Sequence, residues 1–200
     1  MKILAIESSC DETSVAIVED GKKVLCNVVY TQIEIHKMYG GVVPEVASRH
    51  HIEKITYVID AAMKEAQLNY VDIDKIAVTS EPGLIGSLMV GVNAAKAIGL
   101  AYHIEVVMVN HIYGHIYANY LEDDFVFPLI ALVVSGGHTE LVLMKNHFDF
   151  EILDQELKDI FEFDMGDFGF DIPDMEELDD IADGYYGDER ERTYNAYNLD

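Results

Sequence analysis

The chain has 200 residues, half of them hydrophobic and a quarter charged, which is typical of a globular protein with one core or with one lobe and part of another. No apolar run reaches roughly 18 residues, so we expect no membrane span, and two cysteines are too few for a disulfide framework, which favours the cytoplasm. The formal net charge of −24 excludes a protein that binds nucleic acid unaided, because such proteins carry a basic surface.

The N-terminal region predicts a β-meander. KILAIE (residues 2–7), SVAIV (residues 14–18) and LCNVVY (residues 25–30) are strand candidates, and the polar turn SSCDET separates the first two. Its hydroxyls and carboxylates suit a phosphate with magnesium, but an ordinary hairpin loop has the same composition. No base stands beside Cys10, so we interpret it as a packing or turn residue.

Two amphipathic or apolar helices follow. Helical spacing of apolar residues predicts a helix over 45–67, with Pro44 at its start and with His50 and His51 on a solvated or interface stretch. A second helix, over 85–101, is rich in small residues. This composition suits either an anion at the helix N-terminus or tight packing of the helix on a sheet, and both interpretations remain open.

The stretch NHIYGHIYANY (residues 110–120) comes directly after VVMV, a buried strand candidate. His111 and His115 are four residues apart, so on a helix they lie on one face. The carboxyl end of a strand in an α/β sheet is where ligands bind, which favours a metal half-site over two buried histidines without a ligand.

Two further strand candidates, LIALVVS and TELVLM, flank a glycine-containing hairpin, Ser135-Gly136-Gly137-His138-Thr139. Paired glycines expose backbone N–H groups, which suits a phosphate, although Gly-Gly also simply closes hairpins. Beyond this hairpin the composition changes, because residues 151–200 contain 18 acidic and 3 basic residues, a net charge of −15. We expect an acidic, poorly structured tail.

Five segments, taken together and in this order, resemble one family: AIESSCDETSVAIV, GGVVPEVASRHH, PGLIGSLMVG with AKAIGLA, VNHIYGHIYANYL and LVVSGGHTELVLM. They are similar to the universal tRNA N6-adenosine threonylcarbamoyltransferases, formerly described as O-sialoglycoprotein endopeptidases, over about residues 1–146. The resemblance implies an α/β fold of the actin, hexokinase and Hsp70 type. It divides the chain into an N-terminal ribonuclease-H-like lobe (1–125), the opening hairpin of a truncated second lobe (126–148) and an acidic tail of unlike sequence (149–200).

The resemblance also implies site residues. His111 and His115 match two of the family's ligands for a single divalent metal ion, usually iron, with zinc or magnesium as alternatives. Asp11 and Glu12 lie in the first phosphate hairpin and would face the adenylate as catalytic residues. The substrate-binding loop would comprise Val134, Ser135, Gly136, Gly137 and His138.

The implied activity transfers a threonylcarbamoyl group from threonylcarbamoyl-adenylate to N6 of adenosine 37 in tRNAs that read codons starting with A. The implied partners are tRNA, a paralogous helper subunit and a small ATPase. An old peptidase interpretation ranks third, because HIYGH lacks the Glu beside the first His that HExxH metalloproteases use as a base.

The sequence departs from the family after Leu143-Met144, where we find no third metal-binding Asp. Asp164, Asp167 and Asp171 are available carboxylates, but their spacing assigns none of them to the metal. We therefore expect impaired activity in this truncated chain. The alternative is a non-catalytic remnant that binds metal, nucleotide or the paralogous helper.

Overall fold

The computed structural model describes residues 1–135 and 138–153. The chain divides into two compact units, of which the first spans Met1–Phe125 and the second begins at Val126.

The first unit is built on a five-stranded sheet with the order β3-β2-β1-β4-β5. Strand β2 runs antiparallel to its neighbours β1 and β3, as the meander predicts, whereas β4 and β5 run parallel to β1. Ala5 of β1 lies between Ala16 of β2 and Ala77 of β4. The strands are β1 (Lys2–Glu7), β2 (Glu12–Glu19), β3 (Lys23–Thr31), β4 (Lys75–Glu81) and β5 (Glu105–Asn110).

Helices connect these strands. The predicted helices over 45–67 and 85–101 are present almost as expected, and the sequence analysis missed the short α1. The helices are α1 (Ile33–Lys37), α2 (Pro44–Glu65), α3 (Ile85–Tyr102) and α4 (His111–Ala118), with 3-10 turns at Tyr70–Asp72 and Asn119–Leu121. Pro44 stands at the first helical position of α2, where its missing N–H costs no hydrogen bond.

The core lies between this sheet and α2. Every second strand residue points inward, because side chains alternate across a sheet. The buried apolar residues of β1, β2 and β4 include Leu4, Ile6, Val15, Ile17, Ile76 and Val78. Helix α2 covers them with Ile55, Val58, Ile59, Ala62 and Met63, which repeat at helical spacing.

The small residues of α3 serve close packing on the sheet. The Gly91 N–H donates to Ser8 Oγ at 3.2 Å, and a Cβ at Gly91 would lie 2.5 Å from that oxygen. A Cβ at Gly99 would lie 2.6 Å from Val106. These contacts account for the glycines, so the packing interpretation of this helix is sufficient.

Judged by length and composition alone, α3 could cross a membrane. The sequence analysis predicted no such helix, because it found no long apolar run. It packs, however, against α2 and against β1, β4 and β5. Its outward side exposes Ile85, Met89 and Leu100. The apolar residues of α3 therefore lie on two faces of the helix, one packed on the sheet and one exposed.

The second unit contains an antiparallel sheet with the order β6-β7-β8, formed by β6 (Leu129–Ser135), β7 (His138–Asn146) and β8 (Asp149–Leu153). Val142 and Met144 of β7 are fully buried. Strand β8 corrects the expectation that a poorly structured tail starts at residue 149, because Phe150 and Ile152 pair with β7. Residues 154–200, with Asp164, Asp167 and Asp171, lie outside the described residues.

Candidate metal centre

Helix α4 presents the two predicted metal-binding histidines. Asn110 caps the helix, since its Oδ1 accepts hydrogen bonds from the N–H groups of Ile112 and Tyr113 at 2.9 and 3.2 Å. Ile112 and Ile116 are buried on one side of this helix. His111 and His115 lie on a common face, and their Nε2 atoms face each other at 2.9 Å. The expected one-turn arrangement of the two imidazoles is present.

Glu7, at the carboxyl end of β1, lies behind His111. Its Oε2 is 3.2 Å from His111 Nδ1 and also accepts a hydrogen bond from the hydroxyl of Thr79. Its Oε1 accepts one from the backbone N–H of Ser9. Burial would raise the pKa of Glu7, but hydrogen bonds from His111, Ser9 and Thr79 outweigh it and lower this pKa to about 2. Glu7 is therefore a carboxylate at neutral pH.

The parallel strands bring these residues together. Glu7 ends β1, Thr79 lies near the end of β4, and His111 follows the last residue of β5. Since β1, β4 and β5 are parallel neighbours, their carboxyl ends meet at one edge of the sheet. The sequence analysis placed His111 at such an edge but missed Glu7 and Thr79. The sequence signal for Glu7 was its position as the charged last residue of the apolar strand KILAIE.

The donor set fits a divalent cation. Burial, followed by the neighbouring His111, lowers the pKa of His115 and favours its neutral form. Neutral imidazole is the form that binds metals. Within residues 1–135 and 138–153, no group of three or more His, Cys, Asp or Glu side chains is placed to hold a metal ion. In this part of the chain the two histidines are therefore the candidate ligands of a half-site.

The first polar hairpin, between β1 and β2, also lies beside His111. Ser9 Oγ is 3.2 Å from His111 Nδ1, so the segment between β1 and β2 contacts the histidine pair. Asp11 and Glu12, the predicted catalytic residues, follow in this segment and are partly buried. The Asp11 carbonyl accepts a hydrogen bond from the Gln32 N–H, and Glu12 pairs with Thr31 of β3.

His51 anchors this hairpin, which corrects the interpretation of His50-His51 as a solvated or interface stretch. The His51 side chain is fully buried. Its Nε2 donates to the Cys10 carbonyl at 2.9 Å, and its Nδ1 accepts from the Thr13 hydroxyl at 2.7 Å. Helix α2 thereby fixes the shape of the loop that carries Asp11 and Glu12.

Cys10 is not activated as a nucleophile. Although the residue lies at the surface, desolvation and then the charge of Asp11 raise the pKa of the Cys10 thiol to about 12, with Glu12 and Glu7 adding to the effect. The thiolate is the reactive form, so Cys10 stays protonated near neutral pH.

The predicted substrate loop lies in the second unit. Val134 and Ser135 end β6, His138 begins β7, and Ser135 pairs with His138 across the hairpin. Gly136 and Gly137 lie outside the described residues. The hairpin itself is present where it was expected.

A family model described as "TsaD: tRNA N6-adenosine threonylcarbamoyltransferase" matches residues 23–179. The chain belongs to this family. The match extends well beyond residue 146, so the threonylcarbamoyltransferase resemblance does not stop where the sequence analysis placed its end.

Named relatives agree with this family. The tRNA N6-adenosine threonylcarbamoyltransferase of Bacillus subtilis (strain 168) is 61% identical over 159 residues, which cover 80% of this chain and 46% of that protein. The Staphylococcus saprophyticus protein of the same name is 62% identical over 157 residues, covering 78% of this chain and 46% of that protein. The chain thus spans a little under half the length of these relatives.

Among solved structures, YeaZ from Pseudomonas aeruginosa matches with a TM-score of 0.53 at 13% identity, covering 77% of this chain and 64% of that chain. This likeness concerns the fold alone. Together with the family match, it confirms the α/β fold of the actin type that the sequence predicts.

Proposed function

We propose that this chain supplies the metal-binding lobe of a tRNA N6-adenosine threonylcarbamoyltransferase, which transfers a threonylcarbamoyl group from threonylcarbamoyl-adenylate to N6 of adenosine 37. The observation that carries the proposal is the pair of Nε2 atoms, from His111 and His115, facing each other at 2.9 Å. They occur in a chain that is 61% identical to a named transferase.

In this proposal His111 and His115 hold one divalent ion, with further ligands from outside the described residues. Iron is the first choice, zinc and magnesium the alternatives, because imidazole suits iron and zinc better than magnesium. The ion would supply Lewis-acid polarisation of an acyl or phosphoryl oxygen.

The polar hairpin would face the adenylate. N6 attacks the carbamoyl carbon, a C–N bond forms, and the C–O bond to the phosphate breaks as AMP leaves. Asp11 or Glu12 accepts the proton that N6 loses, since both carboxylates lie in the segment that begins at the histidine-contacting Ser9. The substrate-binding role of residues 134–138 stays a prediction from the family resemblance.

The partners follow from charge and exposure. A chain of net charge −24 needs a basic surface from a partner or from a segment outside this sequence to bind tRNA, and the cytoplasm is where we place this assembly. The paralogous helper would dock on the exposed apolar residues of α2 and α3, Ile52, Ile85 and Met89, and a small ATPase would complete the complex.

The activity of the isolated chain is expected to be low. The chain spans 46% of the length of its relatives, and the described residues supply two metal ligands, which is only part of the preorganised site on which the rate depends. The second candidate is therefore a non-catalytic remnant that binds metal, nucleotide or helper. The two-member histidine site within the described residues favours it.

The deciding experiment measures threonylcarbamoyladenosine in a suitable tRNA incubated with the chain, threonylcarbamoyl-adenylate and the helper proteins. A parallel reaction adds the C-terminal half of the B. subtilis transferase as a separate polypeptide. Modification that needs both His111 and the added half would support the transferase. Helper and metal binding without modification in either reaction would favour the remnant, and turnover equal to that of a full-length relative would contradict the expected impairment.

A further inference from the structure

Glu7 is placed so that every group around its carboxylate is a hydrogen-bond donor or can become one. Oε1 receives the Ser9 backbone N–H, while Oε2 receives the Thr79 hydroxyl and lies 3.2 Å from His111 Nδ1. The side chain keeps about a third of its surface exposed, and the His111 side chain keeps 28%. This carboxylate is a fixed acceptor at the edge of the sheet.

We propose that Glu7 is a positioning residue, which holds the Nδ1 proton on His111 so that the Nε2 lone pair is free to bind a divalent cation together with His115. The inference rests on the metal assigned under the proposed function, and it adds to that assignment a residue that does not itself bind the ion.

The geometry selects one tautomer of His111. If Nδ1 carried no proton, its lone pair would point at a carboxylate oxygen 3.2 Å away, and the two would repel each other. Ser9 Oγ, also 3.2 Å from Nδ1, can donate or accept and therefore selects neither tautomer. With the proton on Nδ1, the acceptor Nε2 lies on the opposite side of the ring, 2.9 Å from Nε2 of His115.

Glu7 is thereby distinguished from a third ligand. It contacts the ring nitrogen of His111 that is remote from His115, so one ion bound to both Nε2 atoms is separated from Glu7 by the His111 ring. Carboxylates that accept from the second nitrogen of a metal-binding histidine orient the ring and raise its basicity, and their loss typically lowers metal affinity by about 10- to 100-fold.

The variant Glu7→Gln tests the proposal without changing the size of the side chain. The NH₂ group of the glutamine must face one of the groups that donated a hydrogen bond to Glu7. His111 can accept a hydrogen bond from this NH₂ group at Nδ1. The His111 proton would then move to Nε2, the atom needed for the metal. Glu19→Gln is the matched control, because Glu19 lies at the far end of β2 and pairs with Lys2 and Lys23.

The experiment records long-range ¹H–¹⁵N spectra of the imidazoles in the full 200-residue chain and titrates the same samples with Zn²⁺ alone. The expected result is an Nδ1-protonated His111 in the parent chain and the Glu19→Gln control. In Glu7→Gln we expect a shift towards the Nε2-protonated form, with Zn²⁺ affinity lower by about 10- to 100-fold.

An Nε2-protonated His111 in the metal-free parent chain would overturn the proposal, and this result needs no variant to fold. An unchanged tautomer or unchanged Zn²⁺ affinity in a folded Glu7→Gln chain would overturn it as well. Absence of tRNA modification even after addition of the C-terminal half of the B. subtilis transferase would count against the proposed function alone, because the tautomer is measured without substrate.

Discussion

The imidazole of His51 accepts a hydrogen bond from Thr13 at 2.7 Å and donates another to the Cys10 carbonyl, so one ring connects α2 to both sides of the polar hairpin. Thr13 and His51 are both fully buried. In the neutral ring, with the Nε2 proton on the Cys10 carbonyl, Nδ1 accepts from the Thr13 hydroxyl.

We expect acid to destabilise the fold through His51. Burial lowers its pKa below the ordinary 6.5, only partly opposed by the Cys10 carbonyl and by nearby carboxylates. The unfolded chain therefore binds a proton more readily than the folded one. The stability that His51 contributes is complete above pH 6.5 and is lost as the pH falls from there through the folded pKa.

The variant His51→Gln should lower the free energy of unfolding by about 1–3 kcal/mol above that pH, because it leaves a buried partner unpaired. The deficit should shrink as the pH falls. Urea unfolding over a pH series measures both effects, with His103→Asn as the control, because His103 is exposed with a φ of 58° that asparagine tolerates. A deficit that grows on acidification would contradict the assignment.

The close packing of α3 on the sheet makes Gly91 sensitive to a single methyl group. Gly91→Ala places a Cβ 2.5 Å from Ser8 Oγ in a buried contact and should destabilise the chain by about 1–3 kcal/mol. Gly114 of α4 is the matched control, since nothing lies within 4 Å of its Cβ position. Gly114→Ala should stabilise the chain by about 0.5–1 kcal/mol. Chemical denaturation of both variants measures the two changes in the free energy of unfolding, which should have opposite signs.

Metal binding should depend on both histidines of α4. We expect the chain to bind Fe(II) or Zn(II) weakly, because the described residues provide two ligands. The double variant His111→Ala, His115→Ala should abolish this binding in a calorimetric titration, whereas His103→Asn should leave it intact. Equal affinity in the double variant and the parent chain would rule out the α4 site.

The helper should dock on the exposed apolar residues of α2 and α3. The double variant Ile52→Asp, Met89→Asp introduces charges at positions that are 63% and 57% exposed, and it should weaken helper binding at least about 10-fold. Val71→Asp is the control, because Val71 is equally apolar, 84% exposed and located in the 3-10 turn before β4. Equal affinities for the two variants, measured by calorimetry with the purified helper, would place the interface elsewhere.

The sequence predicted those parts of the molecule that depend on local patterns. Pro44 marked the start of α2, apolar alternation identified β1 and β2, and the apolar run before Asn110 placed His111 at a strand end. Each of these signals lies within a few residues of the feature that it predicts.

The missed features depend on contacts between distant residues. Glu7 and His111 are 104 positions apart, and only the parallel pairing of strands brings them together. The hydrogen-bond partners of His51, Thr13 and the Cys10 carbonyl, are 38 and 41 positions away. The segment that forms β8 was assigned to the tail because the family resemblance was taken to end near residue 146, although Phe150 and Ile152 pair with β7.

The residues around the proposed metal site come from the ends of β1, β4 and β5, so an affinity for the proposed ion would report whether the sheet is folded. A nascent or proteolysed chain that ends before residue 111 has no half-site, and a chain in which β1 has detached loses the carboxylate behind His111. Because an ion that prefers the native state stabilises it by mass action, added Zn²⁺ should protect the assembled sheet from proteolysis. Binding of the ion would therefore require an intact sheet, whether or not substrate is bound.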